Sequence, residues 1–138
     1  MEFTPSTVED VQQIQEWIKS DPDHVDRISA DFWLTGNDCV FAGCLRDNIG
    51  SIVYFRVDKE GELARLHVQF APSGQVAKGR LVKALLNGYY KIESKLRNEN
   101  FKGVIYESTN PSLIQFMSRL GYLHEEGDDY LLLFEEKV

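Results

Sequence analysis

Two cysteines, no long apolar run and a shortage of positive charge set the first limits on this 138-residue chain. Cys39 and Cys44 are too few for a disulfide framework, and their spacing is not that of a zinc site. They fall in one expected strand at odd spacing, which turns them to opposite faces and argues against a pair between them. A reducing, intracellular setting is the expectation that follows. No apolar run approaches the roughly 20 residues a membrane-spanning helix needs. The opening Met-Glu-Phe-Thr-Pro has no basic region followed by an apolar core, the pattern of a signal peptide. A cytoplasmic location is therefore expected. With 15 basic against 22 acidic residues the net charge is -7. That balance excludes a broad basic face for nucleic acid, and it makes the cationic cluster of Lys78, Arg80 and Lys83 conspicuous.

What is present is a globular composition, 43% hydrophobic and 27% charged. The length fits one domain, residues 1–138, able to bury a core. Met1 to Thr4 reads as a short strand ended by Pro5. Ser6 and Glu9 have capping-box spacing, and Val11, Ile14, Trp17 and Ile18 recur at helical spacing up to about Ser20. Ser20 or Asp21 before Pro22 starts a second, shorter helix carrying Val25, Ile28 and Phe32. After Gly36 and Asn37 the period changes to two. Cys39 to Leu45, Ser51 to Val57 and Glu62 to Phe70 read as strands, separated by turns at Asp47–Gly50 and Asp58–Gly61. They form an antiparallel meander. A helix from about Val76 carries Val82, Leu85, Leu86, Tyr89, Ile92 and Leu96 on one face. Gly103 to Glu107 is a short apolar strand, set parallel by the crossover. Asn110-Pro111 opens another helix, stopped by Gly121. Tyr122 to His124 and Tyr130 to Phe134 close the chain as a hairpin. No repeat, low-complexity tract or linker interrupts this order.

The stretch from Pro72 to Leu86 joins strand to helix through small, polar and basic residues. A helix opening in this way points free N–H groups and the positive end of its dipole forward, a setting for a phosphate or pyrophosphate. An ordinary strand-to-helix connection with two solvated cations explains the stretch equally well.

Leu66-His67-Val68-Gln69-Phe70-Ala71-Pro72, followed by Gln75-Val76-Ala77-Lys78-Gly79-Arg80, resembles the strand and acyl-CoA pyrophosphate loop of the GNAT superfamily of N-acetyltransferases. Asn110 through the apolar helix to Leu120-Gly121-Tyr122 resembles that superfamily's second signature. The order of elements, β-α-α-β-β-β-α-β-α-β-β, resembles it along the whole chain. The resemblance implies an α+β class (α/β by some schemes) and a GNAT-like acyl-CoA N-acyltransferase fold, a mixed central sheet flanked by helices. It implies acetyl-CoA as co-substrate, no metal, and a small-molecule or peptide amine as acceptor, with no nucleic-acid or membrane partner. Domains of this kind often form a homodimer, although no self-complementary surface in the sequence predicts one. The loop fits in two registers. Starting at Gln75 puts Lys78 and Arg80 where small residues are usual, whereas starting at Gly74 puts Ala77 and Gly79 there.

By the same resemblance, acyl-CoA enters between the fourth and fifth strands. Val68 and Phe70 would offer strand backbone, Gln75, Val76, Ala77, Lys78, Gly79 and Arg80 would grip the pyrophosphate, and Asn110 would touch the pantetheine arm. N-capping explains Asn110 fully as well. The tyrosine that usually protonates the leaving thiolate is replaced by Met117, and Phe116 cannot serve. Tyr106 and Tyr122 are substitutes, although aromatic packing accounts for both. For the base, His67 has an ordinary pKa near about 6.5, suited to neutral pH, although a strand histidine is more often structural. Glu107 is a second candidate and Glu62 a third. His24 and His124 fall in expected surface segments without a role. A GNAT-like domain that has lost its chemistry and binds acyl-CoA or a protein is the alternative.

Overall fold

Alternating apolar and polar residues through the middle of the chain build a seven-stranded mixed sheet. The structure is a computed structural model and describes residues 1–22, 24–25, 29–34 and 36–135. β1 (Glu2–Pro5), β2 (Cys39–Arg46), β3 (Ser51–Glu60) and β4 (Leu63–Phe70) pair antiparallel in sequence order. β5 (Gly103–Glu107) joins β4 in parallel after the long helix α2 (Lys78–Asn98). β6 (Leu123–His124) and β7 (Asp129–Leu133) follow α3 (Pro111–Ser118), giving the order β1-β2-β3-β4-β5-β7-β6. The fold is the mixed, helix-flanked sheet that the sequence implies. No helix among the described residues is long and apolar enough to cross a membrane.

Local differences from the sequence reading have physical causes. β3 continues through Asp58 to Glu60, so the expected turn at Asp58–Gly61 is mostly strand. The chain reverses at Gly61 and Glu62, with Gly61 at φ +63°, a conformation that glycine adopts without steric cost. This longer strand carries Asp58 into the sheet. In β2 the register jumps between Cys39↔Asp58 and Phe41↔Val57, so Val40 is an extra residue. The jump resets the alternation. Cys39, opposite Asp58, and Cys44, opposite Tyr54, consequently share one face instead of taking opposite ones, and both thiols are free. The helix cap also moves by one residue. Ser6 N–H is still bonded to Ala42 O at 3.0 Å, so Thr7 and Asp10 replace the expected Ser6 and Glu9. The Asp10 carboxylate accepts from Thr7 N–H at 2.8 Å ahead of α1 (Val11–Lys19). Of the expected second helix, Ile28 lies outside the described residues, and the described part contains a 3-10 turn at Ala30–Trp33.

The sheet is buried on both sides. Val53, Phe55 and Val57 of β3 pack with Ala84, Leu85, Tyr89, Ile92 and Leu96 of α2 in one core. Tyr54 and Cys44 pack with Ile14, Trp17 and Ile18 of α1 and with Trp33 in the other. α2 closes on the sheet at Gly88, where a Cβ would stand 2.6 Å from Phe55 Cε2. α3 starts at Asn110, whose side-chain oxygen accepts from Ser112 and Leu113 N–H at 3.0 and 3.3 Å.

Candidate active site

β4 and β5 pair at only three positions, Leu63↔Gly103, Ala64↔Val104 and Arg65↔Ile105, and then part. Beyond Arg65, β4 stays bonded to β3 as far as Phe70, and Tyr106 and Glu107 stay bonded to β7. The strand edges between them have no ladder partner, which leaves backbone N–H and C=O groups facing the gap. A cleft of about 660 Å³ occupies this opening, lined by both strands, the end of α1, the start of α2, and α3.

Side-chain alternation divides the cleft. Val68, Phe70 and Tyr106 pack on the side of α2 and α3, where Leu81, Leu85, Leu113, Phe116 and Met117 make an apolar wall. Arg65, His67 and Glu107 take the opposite face, with Trp17, Ser20, Asp21 and His24 across from them. One compartment is greasy and the other is polar.

His67 sits on the polar side with its side chain 22% exposed, and its Nε2 is 3.0 Å from Asp58 Oδ2. The other Asp58 oxygen accepts from Arg56 Nε and Nη2 at 2.9 and 2.8 Å. The Arg56 guanidinium lies 4.1 Å from the centre of the Phe32 ring, and that ring meets His67 edge-on at 5.0 Å. Burial pushes the His67 pKa down, and Arg56 and Arg65 push the same way. Together they outweigh the pull of Asp58. The imidazole is therefore neutral at pH 7 and able to accept a proton. Glu107, the exposed last residue of β5, lines the same compartment. Glu62 does not line the cleft: it sits at the β3–β4 turn, at the opposite end of β4.

His24, expected at the surface without a role, is half-buried in the cleft wall. Its Nδ1 is 2.6 Å from Gln69 Oε1, and Gln69 Nε2 donates to Asp21 Oδ2 at 3.1 Å. Gln69 is fully buried, at 0% exposure, because the segment after α1 covers this face of β4. His124 is exposed at the edge hairpin and lies outside the cleft.

The two tyrosine candidates separate. Tyr106 lines the cleft and is 3% exposed, and its hydroxyl has no hydrogen-bond partner among the described residues. Burial raises its pKa, so the phenol keeps its proton. Tyr122 does not line the cleft. It is a core residue whose hydroxyl donates to Tyr89 Oη at 3.1 Å, and burial pushes its pKa far up.

The loop residues separate as well. Ala77 is the N-cap of α2 with no side-chain cap, and the first bond from the helix runs from Leu81 N–H to Ala77 O at 3.0 Å. The N–H groups of Lys78, Gly79 and Arg80 are left without a partner among the described residues. Lys78 lines the cleft, whereas Arg80 is turned away, its Nε and Nη2 bonded to Asp47 at 2.7 and 2.6 Å. That pairing holds the Asp47 carboxyl far below its usual range. Gly79 has nothing within 4 Å of the place a Cβ would take. Gln75 and Ala77 are exposed beside the cleft, and Val76 packs into the α2 core. Asn110 lines the cleft with its side-chain oxygen engaged in capping.

Asp58, Arg56, Asp21 and Gln69 join the site without having been singled out in the sequence. For Asp58 and Arg56 the signal was there: with the reversal at Gly61 and Glu62, hairpin register sets Arg56 opposite His67 and Asp58 opposite Arg65. For Asp21 there was none, since the Gln69 amide that donates to it is 48 residues away.

No family model matches the sequence, and no curated protein matches it either. Solved structures do. An aminoglycoside 6'-acetyltransferase type Ii superposes with a TM-score of 0.75 over 100% of both chains at 11% identity. The ribosomal-protein-S18-alanine N-acetyltransferase from Escherichia coli gives 0.69 at 14% identity, over 94% of this chain and 90% of that one. A GNAT family acetyltransferase from Brucella melitensis in complex with acetyl-CoA gives 0.65 at 12% identity, over 99% and 90%. The parted fourth and fifth strands, the helix between them in the chain that starts without a side-chain cap, and these superpositions lead to one conclusion: the chain has the fold of the GNAT N-acetyltransferases.

Proposed function

We propose that this protein is an acyl-CoA-dependent N-acyltransferase that moves an acetyl group from acetyl-CoA to a primary amine. What carries this reading is the parting of β4 and β5 beside the start of α2. An apolar compartment there meets a polar one, next to Lys78 and three N–H groups that have no partner among the described residues. The residues fit the co-substrate. A pyrophosphate is an acceptor for the N–H groups of Lys78, Gly79 and Arg80, reinforced by the helix dipole. Glycine at position 79 has no packing reason, because a Cβ there would touch nothing. Room for a ligand supplies one. This favours the loop register that starts at Gly74. The free edge of β4 at Val68 and Phe70 suits an extended arm that carries amides.

In this reading the amine nitrogen attacks the thioester carbon, a C–N bond forms and the C–S bond breaks. The amine gives its proton to His67, directly or through water, while Glu107 and Asp21 offer negative charge to an incoming ammonium. Tyr106, a cleft-lining residue whose buried hydroxyl keeps its proton and has no partner among the described residues, is the donor for the departing thiolate, in place of the tyrosine whose position Met117 occupies. The like folds of a spermidine N-acetyltransferase chimera and an aminoglycoside 6'-acetyltransferase support a small-molecule amine as acceptor. Met117 in the cleft wall favours a second reading, a domain that binds acyl-CoA without turning it over.

Calorimetric titration with acetyl-CoA tests the shared part of both readings. Saturable one-to-one binding is expected, and no binding at millimolar acetyl-CoA overturns them. His67→Ala then separates the two: amine-dependent thiol release should fall by about 10²–10⁴-fold with acetyl-CoA affinity kept.

A further inference from the structure

Among the described residues, His67 is held by one of its two ring nitrogens. Nε2 meets Asp58 Oδ2 at 3.0 Å, while Nδ1 has no hydrogen-bond partner among them. A carboxylate accepts and cannot donate, so Nε2 carries the proton of the neutral imidazole and Nδ1 keeps the lone pair. A lone carboxylate beside a half-buried histidine would also favour imidazolium, which has no lone pair to give. Arg56 stands against this. It is 3% exposed, opposite His67 in the β3–β4 ladder, and donates through Nε and Nη2 to the other Asp58 oxygen. The aromatic ring of Phe32 packs against both the Arg56 guanidinium and His67.

We infer that Asp58 and Arg56 are positioning residues for His67, a proposal that rests on His67 being the base named above. Asp58 selects the tautomer with the proton on Nε2, and Arg56 neutralises Asp58 so that the imidazole is oriented without being protonated. Other charged and titratable groups act on the ring or line the same cleft. Arg65 of β4 opposes its protonation, and Glu107 of β5 and Asp21 and His24 after α1 line the cleft. Direct hydrogen bonding to the ring comes from Asp58 alone among the described residues.

Asp58→Asn makes the inference testable with almost no change of shape. The amide oxygen would stay with Arg56, and the NH₂ would then face Nε2. As a donor, it would force the ring proton onto Nδ1 and leave the lone pair on Nε2, engaged by the new amide. Nitrogen-15 NMR of the His67 ring reads the tautomer whether or not the protein has activity. The full-length protein should show a protonated Nε2 and a bare Nδ1 at pH 8, and Asp58→Asn should show the reverse. In Arg56→Gln the His67 titration should move up by about one pH unit, a tenfold change in proton affinity, because Asp58 is no longer neutralised. A protonated Nδ1 in the parent, or the same tautomer in parent and Asp58→Asn, overturns the inference even if Arg56→Gln fails to fold. Activity tests the underlying reading separately: if His67→Ala turns over at the parent's rate, His67 is not the base, whatever its tautomer.

Discussion

Replacing Gly79 with aspartate should move folding and ligand binding in opposite directions. Gly79 is the second residue of α2, exposed, with open space where a Cβ would stand. Losing a helical glycine and gaining a carboxylate in the first turn together stabilise the free protein by about 0.5–1 kcal/mol. For a chain of this size that raises Tm by about 2–4 °C. A pyrophosphate on the same N–H groups would meet the new carboxylate at about 5 Å, costing about 0.8 kcal/mol per charge pair in water and about 3 kcal/mol at an effective dielectric constant of 20. Between those limits about 2 kcal/mol is the working value, a loss of about thirtyfold in Kd. Acetyl-CoA at 100 times the parent's Kd stabilises the parent by about 2.7 kcal/mol, and at the same concentration should stabilise the variant by about 0.9 kcal/mol. Thermal unfolding of both proteins with and without acetyl-CoA reads all four values. A variant that keeps the parent's ligand-induced shift would refute phosphate binding at this turn. A variant that melts lower without ligand would refute the open geometry at Gly79.

Tyr106→Phe removes a buried hydroxyl that has no partner among the described residues. Urea unfolding should show the variant no less stable, and up to about 1–3 kcal/mol more stable, while amine-dependent turnover falls; a loss of stability would mean that the hydroxyl is bonded in the free protein. Gly88→Ala should destabilise by about 1 kcal/mol, because a Cβ 2.6 Å from Phe55 and 2.8 Å from Leu45 overpacks the core by more than the helix gains. Asp10 tests acid stability. Burial works to raise its pKa, but hydrogen bonds from Thr7 N–H and Arg46 outweigh burial and hold it below the ordinary value. The unfolded chain therefore takes up the proton first on acidification. The contribution of Asp10 is complete above about pH 4–5 and is lost as pH falls through the folded value. Asp10→Asn should flatten the acid limb of the stability curve; an unchanged limb would contradict that pairing.

The sequence and the structure agree most closely where local pattern decides the outcome. Asn110-Pro111 starts α3 where expected, and the Gly103–Glu107 strand has the expected bounds, because capping chemistry and short apolar runs between breakers are local signals. The meander was legible in its order and less so in its ends. Asp58 looked like a turn residue beside Lys59, Glu60 and Gly61, and only pairing with β4 makes it strand. The bulge at Val40 left no mark in composition, yet it decides which way Cys39 faces. In the site, His67, Glu107 and Lys78 were legible because strand alternation and helix starts place them. Arg80 was not. Its guanidinium is taken by Asp47, 33 residues earlier, and no pattern along the chain announces that contact. The place of Tyr122 in the core, outside the cleft lining, was hidden for the same reason, since its partner Tyr89 is 33 residues away on α2.

The most direct measurement is continuous thiol release from acetyl-CoA with a panel of primary amines, including polyamines and aminoglycosides, run on the parent and on His67→Ala. Release that depends on the amine, rises with pH through a midpoint below about 6.5 and collapses in His67→Ala is the expected result. Release that ignores the amine, or that persists unchanged without His67, would contradict an acyl transfer run from this cleft.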